Sequence, residues 1–254
     1  MHQIRIVKNG ESAGKAIAMG DKLYIVIPAY NEEENIEAVI RDWHPVVEKT
    51  GSDSRLVIIN DGSKDSTYEK MLALKEEFAQ LEPLTKENSG HGSTILYGYH
   101  YALQQGANYI FQTDSDGQTL PEEFWQFWEL RKEYAMVIGH RKGRQDGWSR
   151  VFVTKTLKLV CALCFHVNLT DANTPFRLMQ REALADCLQS VPEDHNLSNV
   201  LISVVFAKKK LPVKYIKITF RPRQGGVNSI NMKKIFKIGK KAWKDFRAIN
   251  RCLK

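Results

Sequence analysis

Short, continuous apolar runs alternate with segments whose apolar positions recur every three or four residues, and this order persists from residue 23 to residue 139. No other feature of the chain narrows its fold as much. Residues 23–28, LYIVIP, read as a strand buried on both faces, and the stretch after them places Ile36, Val39, Ile40, Trp43 and Val47 on one helical stripe. Asn31 is expected to cap that helix, with Glu34 three positions on. Further strands are expected at 55–60, 81–86, 107–113 and 135–139, and helices at 67–78, 93–105 and from Pro121. Strands that alternate with helices join a mostly parallel sheet, so the expected class is α/β with helices flanking a central sheet. Beyond Gly143 a long helix (149–167), a strand (176–179), two helices (181–188 and 197–208), a last strand (213–220) and a terminal helix (233–253) complete the pattern.

Charge narrows the classes of partner. The 254 residues carry a net charge of +8, yet the last 23 hold nine basic residues and the single acid Asp245, so the excess resides there and the remainder is neutral. A nucleic-acid-binding surface spread over the domain is thereby excluded. The chain divides into an N-terminal appendage (1–22), one catalytic-sized domain (23–231) and a basic amphipathic helix (232–254). Cys161, Cys164, Cys187 and Cys252 are too few and too irregular for a disulfide framework, and the first two sit in the apolar run LKLVCALCFHV as buried small hydrophobes. Residues 2–20 do not read as a secretory leader, and no window of 18 apolar residues occurs.

In open parallel sheets ligands bind beyond the carboxyl ends of the strands. Three of the loops there carry acids: Pro28-Ala29-Tyr30-Asn31-Glu32, Asn60-Asp61-Gly62-Ser63 and Asp114-Ser115-Asp116. Two carboxylates spaced by two at the end of an extended segment project to one side and can share a hard cation, with Gln118 supplying a further oxygen. An EF-hand fails because its twelfth position is Trp125, a P-loop is absent, and Gly90-His91-Gly92 lacks the third glycine of a dinucleotide fingerprint. An acidic cation site without a phosphate-binding glycine loop suits a diphosphate neutralised by the cation itself.

The runs IVIPAYNEEENI, IINDGSKDST, NSGHGSTILYGYHYAL and FQTDSDGQTLPEEF together resemble the nucleotide-sugar half of family 2 glycosyltransferases with the GT-A fold. The later segments VIGHRKGR, DANTPFRLM and FRPRQGGVNSINMKKI resemble the polyprenyl-phosphate branch of that family, the relatives of dolichyl-phosphate mannose synthase. The resemblance implies that Pro28, Ala29, Tyr30 and Glu32 line the nucleoside pocket and that Asp61 reads the base with Ser63 nearby. It implies that Asp114, Asp116 and Gln118 hold Mg²⁺ or Mn²⁺ against the donor diphosphate. Asp116, Asp171, Arg141 and Arg177 take the catalytic assignments, and Arg141, Arg150, Lys155 and Arg221 the acceptor phosphate, with Arg177 behind them. The implied reaction transfers a sugar, with inversion, from a UDP- or GDP-sugar to a polyprenyl phosphate. Two alternatives stand beside it. A saccharide hydroxyl acceptor needs deprotonation, for which Glu193 and Asp194 beside His195 are the competing base. A nucleotide-sugar-binding protein without turnover is the other.

The terminal helix gathers Ile235, Phe236, Ile238, Ala242, Trp243, Phe246, Ile249 and Leu253 on one side and lysines and arginines on much of the rest. That pattern suits a helix lying on an anionic bilayer, and equally an apolar stripe packed on the domain. The expected location is peripheral, at the cytoplasmic face of the membrane, with a membrane-protein partner or a second copy as further attachments.

Overall fold

The structure is a computed structural model that describes residues 20–141, 148–193, 195–221, 246, 249 and 250, with the side chains at 141 and 148–156 outside the description. Residues 1–19, Asp194, the 222–231 loop and most of the expected terminal helix therefore lie outside the described residues. Seven strands form one sheet: β1 (Leu23–Ala29), β2 (Arg55–Asp61), β3 (Leu81–Lys86), β4 (Tyr109–Gln112), β5 (Met136–Arg141), β6 (Arg177–Gln180) and β7 (Val213–Ile218). Their order is β3-β2-β1-β4-β6-β5-β7. Only β6 runs against its neighbours β4 and β5; the other pairs are parallel. The carboxyl ends of β1, β2, β3 and β4 therefore meet at one edge, together with the start of β6.

The helices are α1 (Ile36–Thr50), α2 (Thr67–Lys75), α3 (His91–Gln104), α4 (Phe124–Glu129, entered through a 3₁₀ turn at Pro121–Glu123), α5 (Trp148–Phe165), α6 (Arg181–Leu188) and α7 (Ser198–Lys208). Alternation along the strands splits the core into two layers. Leu23, Ile25 and Ile27 join residues of α1, α2 and α4, including Ile36, Ile40, Met71 and Phe127. Tyr24 and Val26 point the other way, into a cluster with Ile95, Leu96 and Tyr99 of α3 and Val200, Leu201 and Val204 of α7. Each fully buried aliphatic or aromatic side chain contributes roughly 1.5–3 kcal/mol relative to exposure. In the first layer Phe111 is the hub, with ring centroids 5.4 Å from Trp43, 5.0 Å from Phe124 and 4.7 Å from Phe176. In the second, a Cβ on Gly98 would lie 2.4 Å from Val26 Cγ1, so only glycine lets α3 lie this close to β1. That contact sets where the first turn of α3 arrives at the strand tips.

Four expectations change. Asn31 does not cap α1: the helix begins five residues later at Ile36, and Asn31 instead adopts φ 53° in the loop before it. Helix α2 stops at Lys75, three residues short of Phe78, and β4 opens at Tyr109. The apolar stripe of the terminal segment is packed against the domain where it is described. Phe246 is fully buried 5.2 Å from the Phe165 ring, and Ile249 is buried in the same layer. The two cysteines of the C-x-x-C are buried as expected, and burial pushes the Cys161 thiol up to about 12, which leaves it protonated and unreactive. Among the described residues no helix is long and apolar enough to cross a membrane.

Candidate active site

The first two strand-tip loops are laced together by the polar residues that follow each strand. The Asn31 N–H donates to Ser63 Oγ at 3.0 Å, and Asn31 Oδ1 accepts from the Lys64 N–H at 2.9 Å. Asn31 tolerates its positive φ because asparagine pays less than most residues for the left-handed region. Beside this pair, the Glu32 N–H donates to Thr67 Oγ1 at 2.9 Å, the Glu33 N–H donates to Asp65 Oδ2 and the Ser66 N–H donates to Glu33 Oε2. Burial alone would raise the Asp65 carboxyl, but the Thr67 hydroxyl and N–H and the Glu33 N–H hold it below its ordinary value. Ser63 serves this lacing and is not among the residues that line the cleft.

Between these loops, the first turn of α3 and the loop after β4 lies a cleft of about 380 Å³. Pro28, Ala29, Tyr30 and Glu32 line it from β1, and Asp61 from β2. Asn88, Gly90, His91 and Thr94 line it from α3 and the loop before it, and Asp114, Ser115 and Asp116 from the loop after β4. The structure thus gathers seven of the expected donor-site residues, with Ser63 just behind them. Tyr30 is the exposed rim.

Asp61 is 3% exposed and strongly held. Its Oδ1 accepts from Lys86 Nζ at 2.6 Å and from the Ser89 N–H at 2.9 Å, and its Oδ2 from the Gly90 N–H at 3.0 Å. Burial pushes its carboxyl up, but the Lys86 ammonium, the Ser89 N–H and the Thr94 hydroxyl outweigh burial and hold it below the usual range.

Asp114 is the counterpart on the loop after β4. Its Oδ1 is buried and has no hydrogen-bond partner, and His91 Nε2 stands 3.7 Å away, beyond bonding distance. A buried carboxylate oxygen left without a donor is costly, and a cation is the chemistry that satisfies it. On this observation Asp114 fits a divalent ion, with Asp116 on the same wall. Among the described residues no three His, Cys, Asp or Glu side chains are gathered to hold an ion by themselves. Gln118 is placed differently from expectation: its side-chain amide donates to the Arg221 carbonyl at 2.9 Å, while the Arg221 N–H donates to the Gln118 carbonyl at 2.8 Å. Gln118 ties the loop after β4 to the chain after β7 and does not line the cleft.

The acceptor-side assignments fare less evenly. Arg177 is fully buried, and all five of its N–H donors are engaged within the protein: Nε and Nη2 with the Thr174 carbonyl (3.0 and 2.6 Å), Nη2 with the Ala172 carbonyl, and Nη1 with the Asn199 carbonyl and Ser203 Oγ. Arg177 is therefore a structural staple that holds the 172–174 loop onto α7, and it is not a ligand for a phosphate. Asp171 sits at the start of that loop, accepts the Asn173 N–H at 3.3 Å and does not line the cleft. Arg221 has an exposed side chain whose charge acts on Asp42 of α1, opposing the rise that burial gives that carboxyl. The side chains of Arg141, Arg150 and Lys155 lie outside the described residues.

Asn88, Gly90, His91, Thr94 and Ser115 are wall residues to which sequence reasoning gave no individual role. The run Asn88-Ser89-Gly90-His91-Gly92 directly after a strand and before a helix was the available signal. Measured against a dinucleotide fingerprint it fails, although its position at a strand tip is what matters.

With this geometry in view, comparison with known proteins is specific. A family model described as Glycosyl transferase family 2 matches residues 24–188, which hold β1 to β4 and every wall of the cleft. An uncharacterized glycosyltransferase of Synechocystis sp. is 29% identical over 175 residues, covering 68% of this chain and 54% of the relative. The undecaprenyl-phosphate 4-deoxy-4-formamido-L-arabinose transferase of Serratia proteamaculans is 25% identical over 172 residues, covering 65% of this chain and 52% of the relative. This chain spans about half the length of those two. The polyprenol monophosphomannose synthase of Mycolicibacterium smegmatis is 25% identical over 220 residues, covering 82% of this chain and 80% of the relative. Among solved structures, glucosyl-3-phosphoglycerate synthase from Mycobacterium tuberculosis in complex with Mn²⁺ and UDP-glucose superposes with a TM-score of 0.68 at 15% identity, over 96% of this chain and 84% of that one. The fold is thus the GT-A fold, and the strand-tip loops that build the cleft fall within the matched segment: the chain belongs to glycosyl transferase family 2.

Proposed function

We propose that the protein is an inverting, metal-dependent glycosyltransferase that moves a sugar from a nucleotide-sugar to a polyprenyl phosphate at the cytoplasmic membrane surface. The observation that carries this reading is the cleft itself, where Asp61 at the end of β2 and the Asp114 oxygen that accepts no hydrogen bond, on the loop after β4, face one cavity across β1. The nucleoside lies against Pro28, Ala29, Tyr30 and Asp61, and the diphosphate against Asp114 and Asp116. A bound Mg²⁺ or Mn²⁺ neutralises the charge that grows on the departing diphosphate. Asp114 and Asp116 are the residues that hold it. The acceptor oxygen approaches from the face opposite the diphosphate, which inverts the anomeric centre.

A lipid phosphate is already ionised near neutral pH, so the acceptor needs positioning rather than a strong base. Asp171, on the loop stapled by Arg177, together with Arg141, Arg150, Lys155 and Arg221, is the proposed acceptor side. Two of the relatives described above are named for transfer to undecaprenyl phosphate and for polyprenol monophosphomannose synthesis, which supports this acceptor class. Leu159 and Leu163, 59% and 57% exposed one turn apart on α5, supply an apolar ridge suited to a membrane surface.

A panel of UDP- and GDP-sugars incubated with polyprenyl phosphate and Mg²⁺ or Mn²⁺, followed by mass spectrometry of the lipid fraction, tests the proposal. Sugar is expected on the lipid phosphate. Sugar found only on an added oligosaccharide overturns the acceptor assignment.

A further inference from the structure

Lys86 and Asp61 are the last residues of β3 and β2 and stand in register across that parallel pair. The ammonium is only 18% exposed and is surrounded by acceptors: Asp61 Oδ1 at 2.6 Å, Ser89 Oγ at 2.6 Å, the Glu87 carbonyl at 2.7 Å and Thr94 Oγ1 at 3.3 Å. Lys86 does not line the cleft, whereas Asp61 does. The loop between them lies tight on the Asp61–Gly62 turn: Asn88 Nδ2 donates to the Asp61 carbonyl at 2.8 Å, and a Cβ on Gly62 would lie 2.8 Å from the Asn88 nitrogen. Gly62, at φ 64°, allows that approach. The carboxylate itself is held by donors on both oxygens, and its acceptor positions are unequal. Oδ1 takes two backbone or ammonium donors and Oδ2 takes one, and the Thr94 hydroxyl, which also bonds the carboxylate, has a second acceptor in the Gly90 carbonyl at 3.1 Å, so a further N–H is accommodated at Oδ2 when that hydroxyl turns to Gly90.

We propose that Lys86 is a positioning residue for the nucleobase: acting through Asp61, it fixes the carboxylate so that Oδ2 alone meets an N–H of the donor's base. This rests on the nucleotide-sugar reading above and adds the residue that makes its base contact directional. Without the ammonium, Oδ1 keeps only the Ser89 N–H, the carboxylate is held less firmly, and burial drives it towards the protonated form, which accepts more weakly and adds a competing O–H donor.

The test is isothermal titration of UDP and of GDP, with Mg²⁺, into the full chain and into Lys86→Met, Lys86→Gln, Lys86→Arg, Asp61→Asn and the Lys86→Met/Asp61→Asn double variant, with thermal melts confirming that each is folded. Lys86→Met, Lys86→Gln and Asp61→Asn are each expected to weaken binding on the order of tenfold. The double variant binds no more weakly than Asp61→Asn, because Lys86 acts only through that carboxylate. Lys86→Arg stays within a fewfold of the natural chain, and the Lys86→Met loss grows as pH falls from 8 towards 5. A Lys86→Met loss that adds in full to that of Asp61→Asn, or no loss at all, overturns the inference while leaving the donor reading standing. A natural chain that binds neither nucleotide overturns both.

Discussion

Arg177 stands in register opposite Gln112 across the antiparallel β4–β6 pair, two residues before Asp114, so a fully buried guanidinium underlies the strand end that leads into Asp114 and Asp116. Its role is to satisfy carbonyls. Arg177→Met leaves the Ala172, Thr174 and Asn199 carbonyls without this donor and is expected to lower unfolding free energy by about 3 kcal/mol or more. Arg177→Lys recovers only part, because an ammonium has three donors on one point where the guanidinium spreads five. Urea midpoints measure both. A residue that served only a phosphate ligand would cost activity and leave those midpoints unmoved.

Asp114→Asn keeps the shape of the loop and removes the charge from the oxygen that lacks a partner. Turnover with any accepted donor is expected to fall roughly 10²–10³-fold, the range seen when one electrostatic stabiliser of a developing charge is lost. Mn²⁺ titration followed by electron paramagnetic resonance should show weaker ion binding in the same variant. Because Asp114 Oδ1 is an unsatisfied acceptor, the unliganded variant should melt no lower than the natural chain.

Asp61 and Asp65 both hold their carboxyls below the ordinary value in the folded chain, Asp61 through Lys86, Ser89 and Thr94 against burial, Asp65 through Thr67 and Glu33 against burial. A carboxyl depressed on folding stabilises the fold above its unfolded pKa of about 3.9, and that stability disappears as pH falls through the folded value. The stability gap between the natural chain and Asp61→Asn should therefore be flat from pH 7 to about 5 and shrink below about 4. Chemical denaturation at stepped pH follows it. A gap that widened on acidification would contradict the ion pair with Lys86.

The strands were legible because a sheet covered on both faces needs continuous apolar runs, and LYIVIP and RLVIIN leave no polar alternative. Asn31 misled because the same short amide suits a helix cap and a left-handed turn; which applies depends on Ser63, 32 positions away. Arg177 looked like a phosphate ligand because nothing local says that α7 will cover it. Lys86 escaped notice for the same reason. Its partner is set by strand register, and an isolated lysine at a strand end reads as solvated. Asp61 at the tip of β2 and the pair Asp114 and Asp116 after β4 were readable because sheet topology, once known to be parallel, brings those tips together.

Phe246 decides how the terminal segment is used. Sequence leaves its apolar stripe equally suited to a bilayer and to the domain, but the structure buries Phe246 fully against Phe165, with the His195 ring stacked 6.0 Å away, and joins Asn250 to Lys208 of α7. The segment beside His195 in turn supports the cleft: a Cβ on Gly92 would lie 2.4 Å from the His195 carbonyl oxygen, so the first turn of α3 rests directly on it. Phe246→Ala is expected to cost about 3–5 kcal/mol of stability, the range for emptying a buried phenylalanine site. A residue that faced lipid would instead cost nothing in detergent-free buffer and lower only binding to anionic vesicles. Thermal melts and vesicle sedimentation on the one variant separate the outcomes. A lowered melting temperature with vesicle binding retained, through the lysines and arginines of the same segment, is the result the packing of Phe246 requires.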